Sequence, residues 1–445
     1  MKNIKNRLSE STTLKVIIIV VLIVLFMIPN AMVKQLIQER ENNEWRVKKE
    51  IGSKWGAPQL ISGPFLVIPY QKKKITEYDG KQEVKYFNYE LNVMPKTLEI
   101  SGNIVPIIRK RGIYKAILYD AFLDYGGNFE MPDFDKLGID TSLIKWDKII
   151  FNIGIEDMGG IKESIKLNWD GIHNINLEPG IKGTISKTGV STVVEFAKEK
   201  YSKIIDFSFN VKIQGSESIF FTPLGKTTKV VLNSTWDSPS FQGRFVPDSR
   251  EISQDGFTAK WKILDMNRDF PQQWEGSDYN VTKSQFGVKL IKPVGEYQKN
   301  MRTVKYSLLI IVLIFMIYFF FEILGNFKIH PIQYTFIGLA LTMFFVLLLS
   351  ISEQVGFNIA YLISSVATGL MILIYSASLL KKNKQLILLG SFLTTIYGFI
   401  YVVLQLEDYA LFAGSIGLFI ALFAIMYYSR KIDWYNINIS NQKNI

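Results

Sequence analysis

The stretch Leu14–Val33, LKVIIIVVLIVLFMIPNAMV, is twenty residues of nearly unbroken aliphatic sequence. As a helix rising about 1.5 Å per residue, it matches a hydrocarbon core of roughly 30 Å. Five more runs of the same kind crowd the last third: Tyr306–Leu324, Tyr334–Ser352, Phe357–Leu380, Leu386–Leu406 and Ala410–Tyr428. About 270 mostly polar residues lie between the first run and the rest. The expected fold class is a polytopic α-helical membrane protein with six transmembrane helices and one large water-exposed domain.

Composition agrees. A chain with 48% hydrophobic residues is apolar for a soluble protein, and 20% charge is high for one wholly within a membrane. The net charge of +11 comes with no basic-aromatic module and no zinc-ligand spacing, so nucleic acid is not the expected partner. Much of the basic excess sits at membrane edges, where orientation and anionic lipid explain it. With no cysteine, disulfides, thiolate nucleophiles and Cys-ligated metals are excluded.

Lys2, Lys5, Arg7 and Lys15 flank or open the first run against the single acid Glu10, which puts the N-terminus in the cytoplasm. Asn30-Ala31-Met32 is a poor cleavage site, so the run reads as an uncleaved anchor. Alternation then sends Lys34–Lys305 outside. The short loops follow one rule: Lys328 with His330, Lys381-Lys382-Asn383-Lys384 and Arg430-Lys431 fall inside, and Glu353-Gln354-Val355-Gly356 and Glu407-Asp408 fall outside. The implied division is a cytoplasmic N-terminus at 1–13, a transmembrane helix at 14–33, a stalk helix at 34–54, an extracytoplasmic β-rich domain at 55–303, a five-helix bundle at 306–428 and a cytoplasmic tail at 429–445.

The exported part is expected to be mainly antiparallel β. Val84–Met94, Lys148–Ile155, Ser202–Ile213, Ser218–Phe221, Thr227–Leu232 and Phe257–Ile263 are rich in β-branched and aromatic residues. Turn signals recur between them, at Asp79-Gly80, Ser101-Gly102, Gly126-Gly127, Pro179-Gly180 and Gly243. Leu98–Gly102 resembles Val211–Gly215, and Gly127–Asp133 resembles Gly243–Asp248. A duplication would give two β-sandwich-like lobes.

Few residues carry chemistry. The two histidines, His173 and His330, have no metal-ligand spacing. Glu322 lies in an apolar run, where an ionisable side chain is costly and often functional; it reads either as such a site or as a group near enough the interface to reach water. Glu353 marks the opposite rim of the next helix. Ala360, Ser364 and Thr368 share a helix face, and Gly414 and Gly417 open the last run, a spacing that lets helices approach. No serine-hydrolase elbow, phosphate loop or dinucleotide motif is present, which counts against a familiar soluble-type catalytic domain, and no cofactor is implied.

Several segments in collinear order resemble the CreD family of bacterial inner-membrane proteins. They run from Phe321-Glu322 through His330-Pro331-Ile332-Gln333-Tyr334, Gly338-Leu339 and Leu347–Ser350 to Ser352-Glu353 and Gly356-Phe357. Outlying matches are Gly63-Pro64 with Ile68-Pro69, the group Trp236, Pro239, Phe241, Gly243, Phe245 and Pro247, and the tail Ile432-Asp433-Trp434-Tyr435. The resemblance implies a multi-pass inner-membrane protein with a periplasmic domain, a role in envelope integrity or envelope stress, and a link to a two-component signalling system. It raises His330, Gln333 and Tyr334 beside Glu322 and Glu353 as candidates, and Trp236, Pro239 and Phe241 as a candidate extracytoplasmic surface motif. A His-Pro-x-Gln-Tyr turn is expected to start a helix, with Pro331 in its first turn, or to form a cytoplasmic contact. The implied partners are membrane lipids and an envelope component, whether protein, lipid or peptidoglycan. The alternative is a transporter or lipid-handling enzyme using Glu322 and His330 at the cytoplasmic mouth of the bundle.

Overall fold

The computed structural model describes residues 12–78, 81–195, 204–291, 295–325, 328–380, 382–406 and 409–430. The N-terminal cations Lys2, Lys5 and Arg7, the turn at Asp79-Gly80, Lys381, Glu407-Asp408, Lys431 and the tail Ile432–Tyr435 lie outside the described residues. The chain separates into two compact units, residues 1–44 with 294–445, and residues 45–293.

Helix α1, Thr12–Trp55, is one uninterrupted element of 44 residues, about 66 Å long. The expected membrane helix and stalk are therefore a single rod, continuous through Pro29. In the helical unit it is followed by α2 (Glu296–Lys305), α3 (Ser307–Gly325), α4 (Pro331–Val355), α5 (Phe357–Ala377), α6 (Asn383–Gln405) and α7 (Ala410–Ser429). Five of the described helices are long and apolar enough to cross a membrane unaided, and a sixth span results if α2 and α3, bent by 41°, are one. Sequence alone puts α2 in the β-rich domain, because Glu296–Lys305 reads as polar. It is amphipathic, and Tyr297, Asn300, Thr303 and Val304 are buried. The expected outside loop 353–356 shrinks to one residue: α4 runs to Val355 and α5 begins at Phe357, with Gly356 turning the corner at φ +84°, a backbone state that favours glycine. Close packing of α1 on α4 needs a second glycine. A Cβ at Gly338 would lie 2.2 Å from the Phe26 ring.

In the other unit the described strands form two sheets. One runs in the order Ser249–Ser253, Gly256–Leu264, Thr227–Ser234, Thr97–Arg111, Tyr114–Glu130, Ile204–Ser216, Lys166–Trp169, Ile172–Asn176. The other runs Pro239–Gly243, Phe286–Leu290, Ser218–Thr222, Gln59–Tyr78, Ile149–Ile155, Gly189–Val194, Glu178–Pro179, with Lys81–Val93 hairpinned onto Gln59–Tyr78 and Gln273–Glu275 added to it. Pairing is mainly antiparallel. Two ladders are parallel, Gln59–Ser62 with Ile219–Thr222 and Thr97–Ile104 with Thr227–Ser234.

Alternation explains most strands. In Ile204–Ser216 every second residue from Ile205 to Val211 is buried, the period-two pattern of a sheet with one wet face. The inward residues of both sheets meet in one cluster that includes Phe129, Phe151, Trp169, Phe207, Phe209 and Trp261. The look-alike segments occupy different places. Leu98–Gly102 pairs with Thr228–Leu232 and Leu123–Gly127 to its sides, and Val211–Gly215 lies two strands over, against Tyr119–Leu123. The paired stretches 71–75 and 83–90 depart from the simple pattern. Ile75, Val84, Tyr86, Phe87 and Tyr89 are all exposed, so both faces of these stretches meet solvent.

Candidate functional site

Two groups of paired ionisable side chains in the helical unit lie at the two ends of α4. At the first, Lys15 of α1 donates to Oε1 of Glu322 on α3. This carboxylate is only 1% exposed. Its Oε1 also accepts from the Ile329 backbone N–H at 3.1 Å, and Oε2 receives a long contact, 3.5 Å, from the Tyr334 hydroxyl. A carboxylate removed from water needs such partners, because an isolated buried charge costs many kcal/mol. Tyr334 also packs edge-on against Phe315 and Tyr318, and the Tyr318 hydroxyl bonds to Ser376 of α5. Four helices therefore meet around Glu322.

His330 and Gln333 stand beside this group with a different task. His330 is the N-cap of α4: its Nδ1 accepts from the Ile332 N–H at 3.3 Å, and Gln333 Oε1 accepts from the His330 N–H at 2.8 Å. The reciprocal arrangement is a capping box, with Pro331 supplying the first turn without a backbone donor to satisfy. Of the five motif positions, Glu322 and Tyr334 come together, and His330 and Gln333 are occupied in starting the helix.

The second group lies about 28 Å further along α4. Glu353 Oε1 accepts from the Tyr297 hydroxyl at 2.8 Å and lies 3.9 Å from Arg40 Nε of α1. Next to it, Asn300 Nδ2 donates to Ser352 Oγ at 2.8 Å in a fully buried contact. Both acids therefore meet cations of the same helix, Lys15 and Arg40, 25 residues apart. Sequence reasoning found the acids and missed these partners, and it missed Tyr297 and Asn300 altogether. Ala360, Ser364 and Thr368 are buried as their spacing suggests, and the Ser364 and Thr368 hydroxyls have no partner among the described residues.

In the β-rich unit, the last turns of α1 are fixed to the sheet. Glu50 pairs with Arg111 at 2.7 Å and with Lys54 at 2.9 Å. Arg111 first, and then Lys54, holds its carboxyl down at about 2. The Trp55 ring is flanked by Arg109 at 5.4 Å and Lys162 at 6.0 Å, within cation–π range. Elsewhere Arg268 is buried over Phe270, and burial pushes its guanidinium down to about 10, against the opposing pull of Asp265.

The expected surface motif divides: Pro239 and Phe241 are half-exposed, and Trp236 is not on the surface. Trp236 is buried, with Nε1 donating to the Ser238 and Ile291 carbonyls at 3.1 and 3.0 Å. Pro239 opens an edge strand, and Phe241 packs against Phe257 and Trp261. The aromatic spacing reflects packing of a sheet edge. His173 sits exposed in the strand Ile172–Asn176. Among the described residues no cluster of His, Asp or Glu is arranged to hold a metal.

The family model described as "Inner membrane protein CreD" matches residues 11–435. A protein of Escherichia coli (strain K12) called "Inner membrane protein CreD" is 28% identical over 424 residues, covering 95% of this chain and 93% of that protein.

Proposed function

Because the chain belongs to the CreD family of inner membrane proteins, we propose that it supports the integrity of the cell envelope through its β-rich unit, displayed on the periplasmic side, with the helices as its anchor. Both termini are cytoplasmic in this reading, as the basic short loops require. The β-rich unit then binds or braces an envelope component, and the two-component link reports stress rather than substrate.

One observation carries the anchor role. Glu322 and Glu353, the acids that a transport or catalytic site in the helices would use, are each engaged by a cation of α1 and by a tyrosine hydroxyl. Groups tied in this way join helices. A relay would need one of them to exchange protons or ligands with a cavity.

Complementation tests the reading. Cells lacking the protein are supplied with the wild type or with a Lys15→Met, Glu322→Leu double variant, which removes both charges and leaves neither unpaired. Tolerance of an envelope-active agent is then compared at matched protein levels. The anchor role expects the double variant to complement. Failure at wild-type abundance sinks it in favour of transport or lipid chemistry at Glu322.

A further inference from the structure

Three basic segments converge where α1 reaches the sheet. Residues 45–55 carry four cations, residues 106–118 carry four more, and Lys162 adds another, against the single acid Glu50 in these segments. That acid is already engaged by Arg111 and Lys54. Contacts fix how the segments lie. Arg109 stands beside Trp55 and Arg111 beside Glu50, so the ladder of Thr97–Arg111 with Tyr114–Glu130 ends alongside the last turns of α1. Arg46 is one turn before Glu50 on the same face of the helix. Arg46, Arg109, Lys110, Arg111, Lys115 and Lys162 are all exposed.

At the end of that ladder Lys110 and Lys115 are directly opposite each other. Side chains so placed have Cβ atoms about 5 Å apart, and like charges there repel. Neither lysine has a carboxylate partner among the described residues. The sheet gains no stability from such a pair, whereas an anion held between two ammonium groups turns the repulsion into attraction. A phosphomonoester supplies nearly two negative charges and three acceptor oxygens. A carboxylate supplies one charge and leaves one ammonium uncompensated. The cations continue onto Arg46 and around Trp55, so a ligand with several phosphates meets more of them than a ligand with one.

The phospholipid headgroups themselves are out of range. Along α1, Arg46 is 13 residues past Val33, where the apolar run ends, or about 20 Å. A headgroup layer is about 5–8 Å thick. The remaining gap exceeds the Debye length of about 8 Å at physiological salt.

We propose that the end of this hairpin, beside the last turns of α1, binds an envelope component bearing several phosphomonoesters, one of them held between Lys110 and Lys115. The proposal rests on the reading that the β-rich unit engages an envelope component, and it names that component's chemistry.

Lysine footprinting of the full chain tests it, in phosphatidylcholine nanodiscs at physiological salt, with an amine-acylating reagent read by mass spectrometry. Inositol hexakisphosphate is the probe, and the exposed Lys260 and Lys262 of another strand are the internal control. The probe is expected to slow acylation of Lys110 and Lys115 several-fold and to leave Lys260 and Lys262 unchanged. Benzene hexacarboxylate should protect far less. Lys110→Gln with Lys115→Gln should weaken hexakisphosphate binding several-fold, and Lys260→Gln with Lys262→Gln, the same change in charge elsewhere, should not. Equal protection of the two lysine pairs overturns the proposal, as does equal weakening by the two double variants. Protection by the hexacarboxylate as strong as that by the probe assigns the patch to acidic polymers and equally overturns it. Protection by phosphatidic acid in the nanodisc, with no probe added, assigns it to the bilayer and does the same. The wild-type footprint decides alone if a variant does not fold. None of these outcomes bears on the complementation test at Lys15 and Glu322, so the two readings fail separately.

Discussion

Lys15 and Glu322, 307 residues apart in the chain, form an ion pair whose carboxylate is almost wholly enclosed. Removing one partner strands the other, and uncompensated buried charge is strongly destabilising, on the order of 3–5 kcal/mol. Glu322→Leu alone, or Lys15→Met alone, is expected to lower the thermal unfolding temperature in detergent far more than the two together. A double variant as unstable as the singles would show that the pair is not the linking contact.

The His330–Gln333 box predicts a smaller and more local effect. His330→Ala removes the N-cap acceptor and is expected to cost about 1 kcal/mol. Amide exchange should quicken in the first turn of α4, near Ile332, and stay unchanged near Phe344. Under the transport alternative, His330→Ala would instead abolish function at full protein level.

Acid acts on the β-rich unit through Glu50. Its carboxyl sits at about 2 in the folded chain against an ordinary 4.5, owing to Arg111 and Lys54. Since the folded value is the lower one, the stabilisation is present above about 4.5 and is lost as pH falls through that value towards about 2. The pair is solvent-exposed, so salt should shrink the effect. Arg111→Ala should move the Glu50 carbon-detected titration upward towards the ordinary value, and Glu50→Gln should flatten the acid limb of unfolding. A titration unmoved by Arg111→Ala rules out this pairing.

Gly56 predicts a steric limit where α1 ends. A Cβ there would stand 2.5 Å from the Gln214 carbonyl oxygen, which belongs to a sheet backbone and cannot rotate away. Gly56→Ala is expected to cost about 1–3 kcal/mol, the usual range for overpacking. Gly126→Ala, where a Cβ meets nothing within 4 Å, is the tolerated control. Equal melting temperatures for the two variants would refute the contact.

What the sequence disclosed and concealed follows from the range of the forces involved. Hydropathy is a local sum, so Leu14–Val33 and the later runs announce helices without tertiary information. Strand segments such as Thr227–Ser234 are visible through alternation for the same reason. The α2 helix is hidden because its buried face carries the polar Tyr297 and Asn300, whose partners Glu353 and Ser352 lie more than fifty residues away. Lys15 looked like an orientation signal because its charge serves that rule equally well; only folding reveals the acid it meets. Trp236 and Phe241 looked like a surface motif because a sheet edge and a recognition patch draw on the same aromatic residues.

Helix α1 keeps one continuous screw from Thr12 to Trp55, so angular phase is conserved along it. Inserting a single residue near Met27 would turn Arg40 by about 100° about the axis relative to Lys15, so that the two cations could no longer face Glu322 and Glu353 together. Three or four extra residues would nearly restore the azimuth and add only axial length.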